Sequence, residues 1–396
     1  LTFLQYRLNR MEFPPVVPER STEPGMASAS VRRPGEQDSG MDPGAAGPPP
    51  LMTICVPARN EERNLPGLLQ CLQALDDPNL EILLLDDRSE DRTPELLAPF
   101  AGRGASRIRV LDGAGRPDGW LGKPWACHQL GERAAGELIV FLDADTRPEP
   151  AFCTGIRKRF EQERADMLTV WPVQVLGSFW EEAVIPLVYH ALITLLPFRY
   201  IRRRPRWMPA RLYGLLRHRF AAANGQCVAF TRQAYLSIGG HACVRGEVVE
   251  DVALARKVRA KGMRLRMLTG HGGLRCRMYA DPSEMWEGFA KNFLAGFDGN
   301  VPLFLLMGLL HIGVFLAPPA LLAVSLAGGD WIASFALAVP VFLVVLQRRS
   351  LDRWMGWPNR AKWFHWIGVM WFQALAAKIL YNAATGTRTM WKGRPV

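Results

Sequence analysis

"LIVFLDADTRPEP", Leu138–Pro150, is the stretch that decides the fold. Leu138 to Leu142 is uniformly apolar, acids follow at Asp143 and Asp145, and Pro148 and Pro150 stop the chain. An apolar run without alternation reads as a strand covered on both faces, the signature of a parallel sheet. Upstream, "MTICVPA" (52–58), "LEILLLDD" (80–87) and "RIRVLDG" (107–113) read the same way. "NLPGLLQCLQAL" has helical spacing of leucines, and "KPWACHQLGERAAG" also reads as a helix. Strand and helix in alternation predict an α/β domain with a mostly parallel, Rossmann-like sheet. In such sheets ligands sit beyond the carboxyl ends of the strands. Asn60, Glu61, Asp86, Asp87, Asp143 and Asp145 all fall there.

Two carboxylates at one strand end suit a hard divalent cation. Mg²⁺ or Mn²⁺ takes few protein oxygens and completes its shell with phosphate and water. A D-x-D pair alone is equally explained by a hairpin or a helix cap, so its weight comes from the company it keeps.

The chain has 396 residues, a net charge of +11 and a pI of about 9.6, which points to anionic lipid, nucleic acid or phosphorylated substrates. Seven cysteines are scattered without a CxxC pair, arguing against a zinc site or a disulfide framework. Residues 1–50 include a long Pro/Gly/Ser-rich tract and are expected to be disordered.

The last hundred residues differ in kind. "VPLFLLMGLLHIGVFLAPPALLAVSLA" (301–327) is long enough to span a bilayer, and "WIASFALAVPVFLVVL" (331–346) can return across it. "QRRSLDRWMGWPNRAK" (347–362), with five basic residues and one acid, reads as a cytoplasmic loop. "WFHWIGVMWFQALAAKILY" (363–381) is a weaker third span within a 301–381 transmembrane region, and 382–396 is a basic tail. "AVIPLVYHALITLLPF" (183–198) is followed by eight arginines and no acid between Arg199 and Arg219. Together, 183–219 is expected to lie in the headgroup layer, the alternative for its first half being a core helix. A nucleic-acid surface is the other reading of the arginines, but with membrane spans expected further along the chain no nucleic-acid partner is expected.

Several motifs occur in a fixed order. "PARNEERNL" closes the first strand and "LLLDDRSEDRT" the second; "GWLGKPWA" precedes a helix and "LDADT" closes the fourth strand. "ANGQCVAFTRQAYLSIGGH" and "GEVVEDVALARKVRAKG" follow. As a set this resembles family 2 glycosyltransferases of GT-A fold, over residues 51–295. "GWLGK", "EDVALARKVRAKG", "WEGFAKNF" and "WKGR" are most similar to a membrane-anchored bacterial branch associated with carotenoid and hopanoid lipids.

The resemblance implies roles. Pro57, Arg59, Asn60 and Glu61 line the nucleotide pocket, and Asp87 holds the base with Asp86 beside it. Asp143 meets ribose, sugar or metal, and Asp145 a Mg²⁺ or Mn²⁺ ion on the diphosphate. Asp251 is the general base with Glu250 near it, Asn224, Gly225 and Gln226 form the floor, and Lys123 helps bind the diphosphate. Lys291 and Asn292 fall on the acceptor side, and His241 reads as structural or solvated. The Q-x-x-R-W of processive members is missing from 285–296, which favours addition of a single sugar.

The expected activity is inverting transfer of one hexose, glucose from UDP-glucose first, to a hydroxyl of a membrane lipid, a carotenoid or other terpenoid first. Polyprenyl phosphate, a glycerolipid or a sphingolipid are the alternative acceptors, and a catalytically silent membrane scaffold the alternative from another class. The expected place is a bacterial inner membrane, multi-pass, with the catalytic domain facing the cytoplasm.

Overall fold

The computed structural model describes residues 2–17, 52–101, 107–387, 390–391 and 394–395. Ten strands precede the C-terminal helices: β1 Met52–Ala58, β2 Leu80–Asp86, β3 Ile108–Asp112, β4 Leu138–Leu142, β5 Thr146–Pro148, β6 Met167–Trp171, β7 Val173–Gln174, β8 Cys227–Thr231, β9 Leu265–Thr269 and β10 Leu274–Cys276. Seven form one sheet in the order β3-β2-β1-β4-β8-β6-β9, and β5, β10 and β7 form a small second sheet. In the seven-stranded sheet the pairs β3–β2, β2–β1, β1–β4 and β6–β9 are parallel, and only β8 runs against its neighbours. The expected α/β architecture with a mostly parallel sheet therefore holds. β1, β2 and β4 are buried almost throughout, as unbroken apolar runs require.

Two features of this topology place the site. The chain leaves β1 toward β2 and β3, then returns to add β4 on the other side, so the crevice opens between the ends of β1 and β4. The reversed β8 then delivers its entry loop, not its exit, to the same end: Leu142 pairs with Cys227, and the Asp143 amide donates to the Gln226 carbonyl at 3.1 Å.

The expectation of disorder over 1–50 is corrected at its start. Thr2–Arg10 is a helix, and Tyr6, Phe13 and Val16 are buried. Phe13 meets Trp171 and Phe198 edge-on at 5.5 and 5.3 Å, and the Val16 amide donates to Thr269, extending the sheet beyond β9. Averaging over fifty residues hid three apolar anchors whose partners lie more than 150 positions away. The rest of that tract, 18–50, lies outside the described residues.

Of the stretch 183–219 expected in the headgroup layer, the first part belongs to a core helix that ends at Leu195. Helix Phe179–Leu195 is capped by Ser178, whose side chain accepts from the Glu181 amide, and carries Glu181 and Glu182 in its first turn. It packs against Thr2–Arg10, Trp331–Met355 and His365–Thr385, with Ala183, Val184, Ile185 and Ile193 buried. Pro186 lacks the N–H that would bond to the Glu182 carbonyl four residues back, and Arg348 fills that gap at 3.1 Å.

Val301–Ala327 and Trp331–Met355 are long and apolar enough to cross a membrane, and their apolar side chains are largely exposed. The basic stretch expected as a loop is instead divided. Residues 347–355 continue the helix Trp331–Met355 and dock on the sheet domain, where buried Arg348 pairs with Asp352 at 2.9 Å. Arg360 grips Glu182 at 2.7 and 2.9 Å. The third apolar segment, His365–Thr385, lies against Phe179–Leu195 so closely that a Cβ on Gly368 would stand 2.1 Å from the Ala183 carbonyl.

Candidate active site

The strand ends, the β8 entry loop and the start of helix Glu250–Ala260 converge on Lys123, from the first turn of helix Gly122–Arg133. Its ammonium lies 2.8 Å from Asp143 and 3.0 Å from Glu250, and reaches toward the Gly225 carbonyl at 3.4 Å. The two acids hold the lysine charged against the cost of burial, raising it well above its ordinary value. Its charge is thus already engaged by protein carboxylates. A Cβ on Gly225 would come within 3.3 Å of both the Lys123 ammonium and an Asp251 oxygen, so glycine lets the loop close over them.

The four neighbouring acids are tuned apart. Burial, then Asp143 and Glu61, push Asp145 up to about 8, and its Oδ1 is buried without a hydrogen-bond partner among the described residues. Burial and the adjacent Glu250 raise Asp251 to about 7. Burial also raises Asp143, against the pull of Lys123. Burial acts upward on Glu250 as well, but Lys123 and Lys291 outweigh it and hold it low. One site therefore offers a carboxylate that stays ionised beside another poised near neutrality.

An unsatisfied buried oxygen on a carboxyl that resists ionisation is what a divalent cation would relieve. Among the described residues no three His, Cys, Asp or Glu side chains form a cage. Mg²⁺ and Mn²⁺ bound through substrate phosphates need only one or two protein carboxylates, so Asp145 with Asp143 fits such an ion.

A cavity of about 1010 Å³ opens over these groups. Pro57, Arg59, Glu61, Asp87, Lys123, Asp143, Asp145, Glu250 and Asp251 line one end, with Asn224, Gly225, Gln226, Lys291 and Asn292 beside them. Two expected residues face elsewhere. Asn60, in the left-handed region at φ 52°, accepts from the Glu90 amide, and Asp86 accepts from the Ser89 amide. Both lock the loop after β2 rather than line the cavity. His241 is buried, bonded to the Tyr235 hydroxyl at 2.9 Å and lowered by burial to about 3, a structural residue.

The sequence reading missed Arg116, Glu247, Tyr279 and Glu284, which also line the cavity. Arg116 had a signal: it follows the glycine-rich turn "DGAGR" after β3. A buried relay was missed as well. Trp357 donates to the Gln174 carbonyl at 2.8 Å, the Gln174 amide donates to Gln226 at 2.9 Å, and Gln226 meets the Cys276 sulfur at 2.9 Å, beside Asp145. It ties the segment after Trp331–Met355 to the floor of the site.

At its other end the cavity runs between the helices. Leu187, Phe289, Phe293, Phe304, Met307, Phe315, Val369 and Phe372 give it apolar walls. Its volume stands at the upper limit of ordinary small-molecule pockets, about 300–1,000 Å³.

A sheet with its acids at the β1/β4 crevice, followed by apolar helices, matches known proteins. The profile of glycosyl transferase family group 2 matches residues 138–381, and that of glycosyl transferase family 2 matches 53–211. The chain belongs to the glycosyl transferase family 2 group.

The 4,4'-diaponeurosporenoate glycosyltransferase of Staphylococcus haemolyticus is 24% identical over 255 residues, and that of Staphylococcus aureus (strain USA300) 26% over 255 residues. In each case the match covers 63% of this chain and 63% of the relative, so the chain spans less than two thirds of the relatives' length. A mannosyltransferase from Pyrobaculum calidifontis, solved with GDP-Man and Mn²⁺, shares the fold with a TM-score of 0.50 at 18% identity, over 96% of this chain and 95% of its own. The GT-A architecture expected from the sequence is thereby shown.

Proposed function

We propose that this chain transfers one hexose from a nucleoside diphosphate sugar, UDP-glucose first, to an oxygen at the end of a long apolar molecule such as a carotenoid or other terpenoid. The observation that carries the reading is the single cavity, with carboxylates at the strand ends and an apolar arm between the helices. The relatives named for a carotenoid acid support the same class of acceptor.

Asp145 and Asp143 would hold Mg²⁺ or Mn²⁺, which supplies neutralisation of the departing diphosphate. Arg59, Glu61 and Asp87 bind and orient the nucleotide at the ends of β1 and β2. Burial, helped by Glu250 that Lys123 keeps ionised, raises Asp251 to about 7, so that it is basic enough to take a proton from the acceptor yet largely deprotonated above that pH. The acceptor oxygen forms its bond to the anomeric carbon as the bond to the diphosphate breaks, and its proton passes to Asp251. A single displacement inverts the anomeric centre.

The acceptor oxygen has two readings. An alcohol needs Asp251, whereas a carboxylate, favoured by the relatives' printed name, is already ionised. Val301–Ala327 and Trp331–Met355 anchor the enzyme in a bacterial inner membrane, catalytic domain to the cytoplasm, and arginine-rich 199–219 rests on the headgroups. Mass spectrometry of lipids from cells carrying active or Asp145→Ala protein tests the whole reading. One hexose-bearing apolar species should vanish in the variant; identical lipid profiles would refute it.

A further inference from the structure

The apolar arm of the cavity is not apolar at its deep end. His190 from Phe179–Leu195, His311 from Val301–His311 and Gln373 from His365–Thr385 all line it there. Three separate helices thus each place one polar side chain against a wall of phenylalanine and leucine. Polar groups in such surroundings are costly unless they have work to do.

Their hydrogen bonds are only partly used. His190 Nε2 meets Gln347 at 3.1 Å, leaving its Nδ1 without a partner among the described residues. His311 Nδ1 bonds to the Met307 carbonyl at 2.7 Å within its own helix, which leaves Nε2 available. Gln373 makes no hydrogen bond among the described residues. Behind them His365 is buried with neither ring nitrogen partnered among the described residues, 5.2 Å ring to ring from His190.

Backbone geometry supports the same place. The three histidine rings stand around Phe315, at 5.8, 5.6 and 5.1 Å for His190, His311 and His365. Phe315 lies in a π-helical turn, Ile312–Leu316, a rare insertion that concentrates at functional positions. No three-residue metal cluster is found among the described residues, so the histidines read as hydrogen-bonding groups.

We infer that His190, His311 and Gln373 form a polar subsite for a second oxygen function at the far end of the acceptor. The acceptor would then be an apolar chain with a hydroxyl or keto oxygen at the end remote from the glycosylated one. This rests on the transfer function proposed above. The mouth beside Asp251 and the subsite would together fix how far the acceptor enters, selecting by length as well as by polarity.

The test uses the full chain in nanodiscs with UDP-glucose and two acceptor series, straight-chain primary alcohols and the matching α,ω-diols, from about eight to about thirty carbons. For each length the ratio of kcat/KM, diol over mono-alcohol and corrected for the diol's two ends, is measured. The expected result is a peak of about tenfold at one length, equivalent to about 1.4 kcal/mol, and a ratio near one elsewhere. His311→Leu and Gln373→Leu should flatten the peak, and His311→Gln should keep part of it. Because the ratio is internal to each enzyme, a general loss of activity does not imitate the effect, and the wild-type scan alone decides if a variant fails to fold. A flat wild-type profile with both series glycosylated overturns the subsite and leaves the transferase reading standing. Failure to glycosylate either series while UDP-glucose is hydrolysed overturns the alcohol-acceptor reading and the subsite with it.

Discussion

The two ends of the cavity are built in opposite ways. The acidic end takes its side chains from strand ends and helix starts, where hydrogen-bonded ladders fix the backbone and charges hold one another in place. The apolar arm takes its side chains from several helices between residues 187 and 376, held by packing. On the function proposed, chemistry that depends on fractions of an ångström would sit on the sheet, and recognition of a long, deformable chain between helices that can adjust.

The contrast predicts a graded set of failures. The largest belongs to Asp145→Ala: removing the carboxylate that best fits a divalent ion should cost several kcal/mol of leaving-group stabilisation, about 10³-fold in transfer. Rates measured against Mg²⁺ and Mn²⁺ concentration should lose their metal dependence, and a variant that kept it would shift the ion elsewhere.

Asp251→Asn comes next, with a loss of about 10²- to 10⁴-fold on an alcohol acceptor. A carboxylate acceptor should turn over almost normally. In the wild type, transfer to an alcohol should fall as pH drops through about 7, where Asp251 takes up its proton, and this limb should vanish in the variant. Stability should move the other way. Folded Asp251 titrates at about 7 against 3.8 for the ordinary group, so its ionisation opposes folding increasingly from about pH 4 to 7. The variant's gain in thermal midpoint should be absent below pH 4 and full above pH 7.

Gly368→Ala probes the arm without touching an acid. Its new methyl would meet the Ala183 carbonyl and the Leu187 side chain, at 2.1 and 2.5 Å, and force the two helices apart. A loss of about 1–3 kcal/mol of stability is expected, read by denaturant melts in detergent. KM for the acceptor should rise while donor hydrolysis changes little, since Leu187 and Val369 line the arm.

The smallest effect is expected on the surface. Arg203, Arg204 and Arg206 are exposed, and Trp207 and Leu215 beside them are 71% and 72% exposed. Changing the three arginines to glutamate should weaken lipid glycosylation in anionic nanodiscs by only a few-fold: each charge is worth about 1 kcal/mol of surface attraction, but the two apolar helices would already hold the enzyme at the bilayer. Donor hydrolysis should hold, and equal loss of both activities would remove the headgroup contact from the account.

The acidic end was legible because its parts are local in sequence. An apolar run ending in acids is a buried strand delivering carboxylates to a sheet edge, so Asp143, Asp145 and Asp87 could be assigned to the crevice in advance. Asn60 and Asp86 carried the same signal and lock a loop instead, since a side chain's direction after a strand depends on the turn that follows. The core placement of 183–198 is not legible locally, because its partners, Thr2–Arg10 and His365–Thr385, lie far from it on either side in the chain. Arg348 looks like part of a basic loop in the sequence, because the Glu182 carbonyl freed by Pro186 lies 166 positions away.

By itself the sequence determined the strand order's raw material, the family and the acids, since these follow from period, composition and neighbouring motifs. Only the tertiary structure decided which acids share a charge with Lys123, which carboxyls are pushed toward neutrality, and that an apolar arm opens onto them. The reason is physical: burial and Coulomb energy depend on distances between residues far apart in the chain, and no local pattern records those distances.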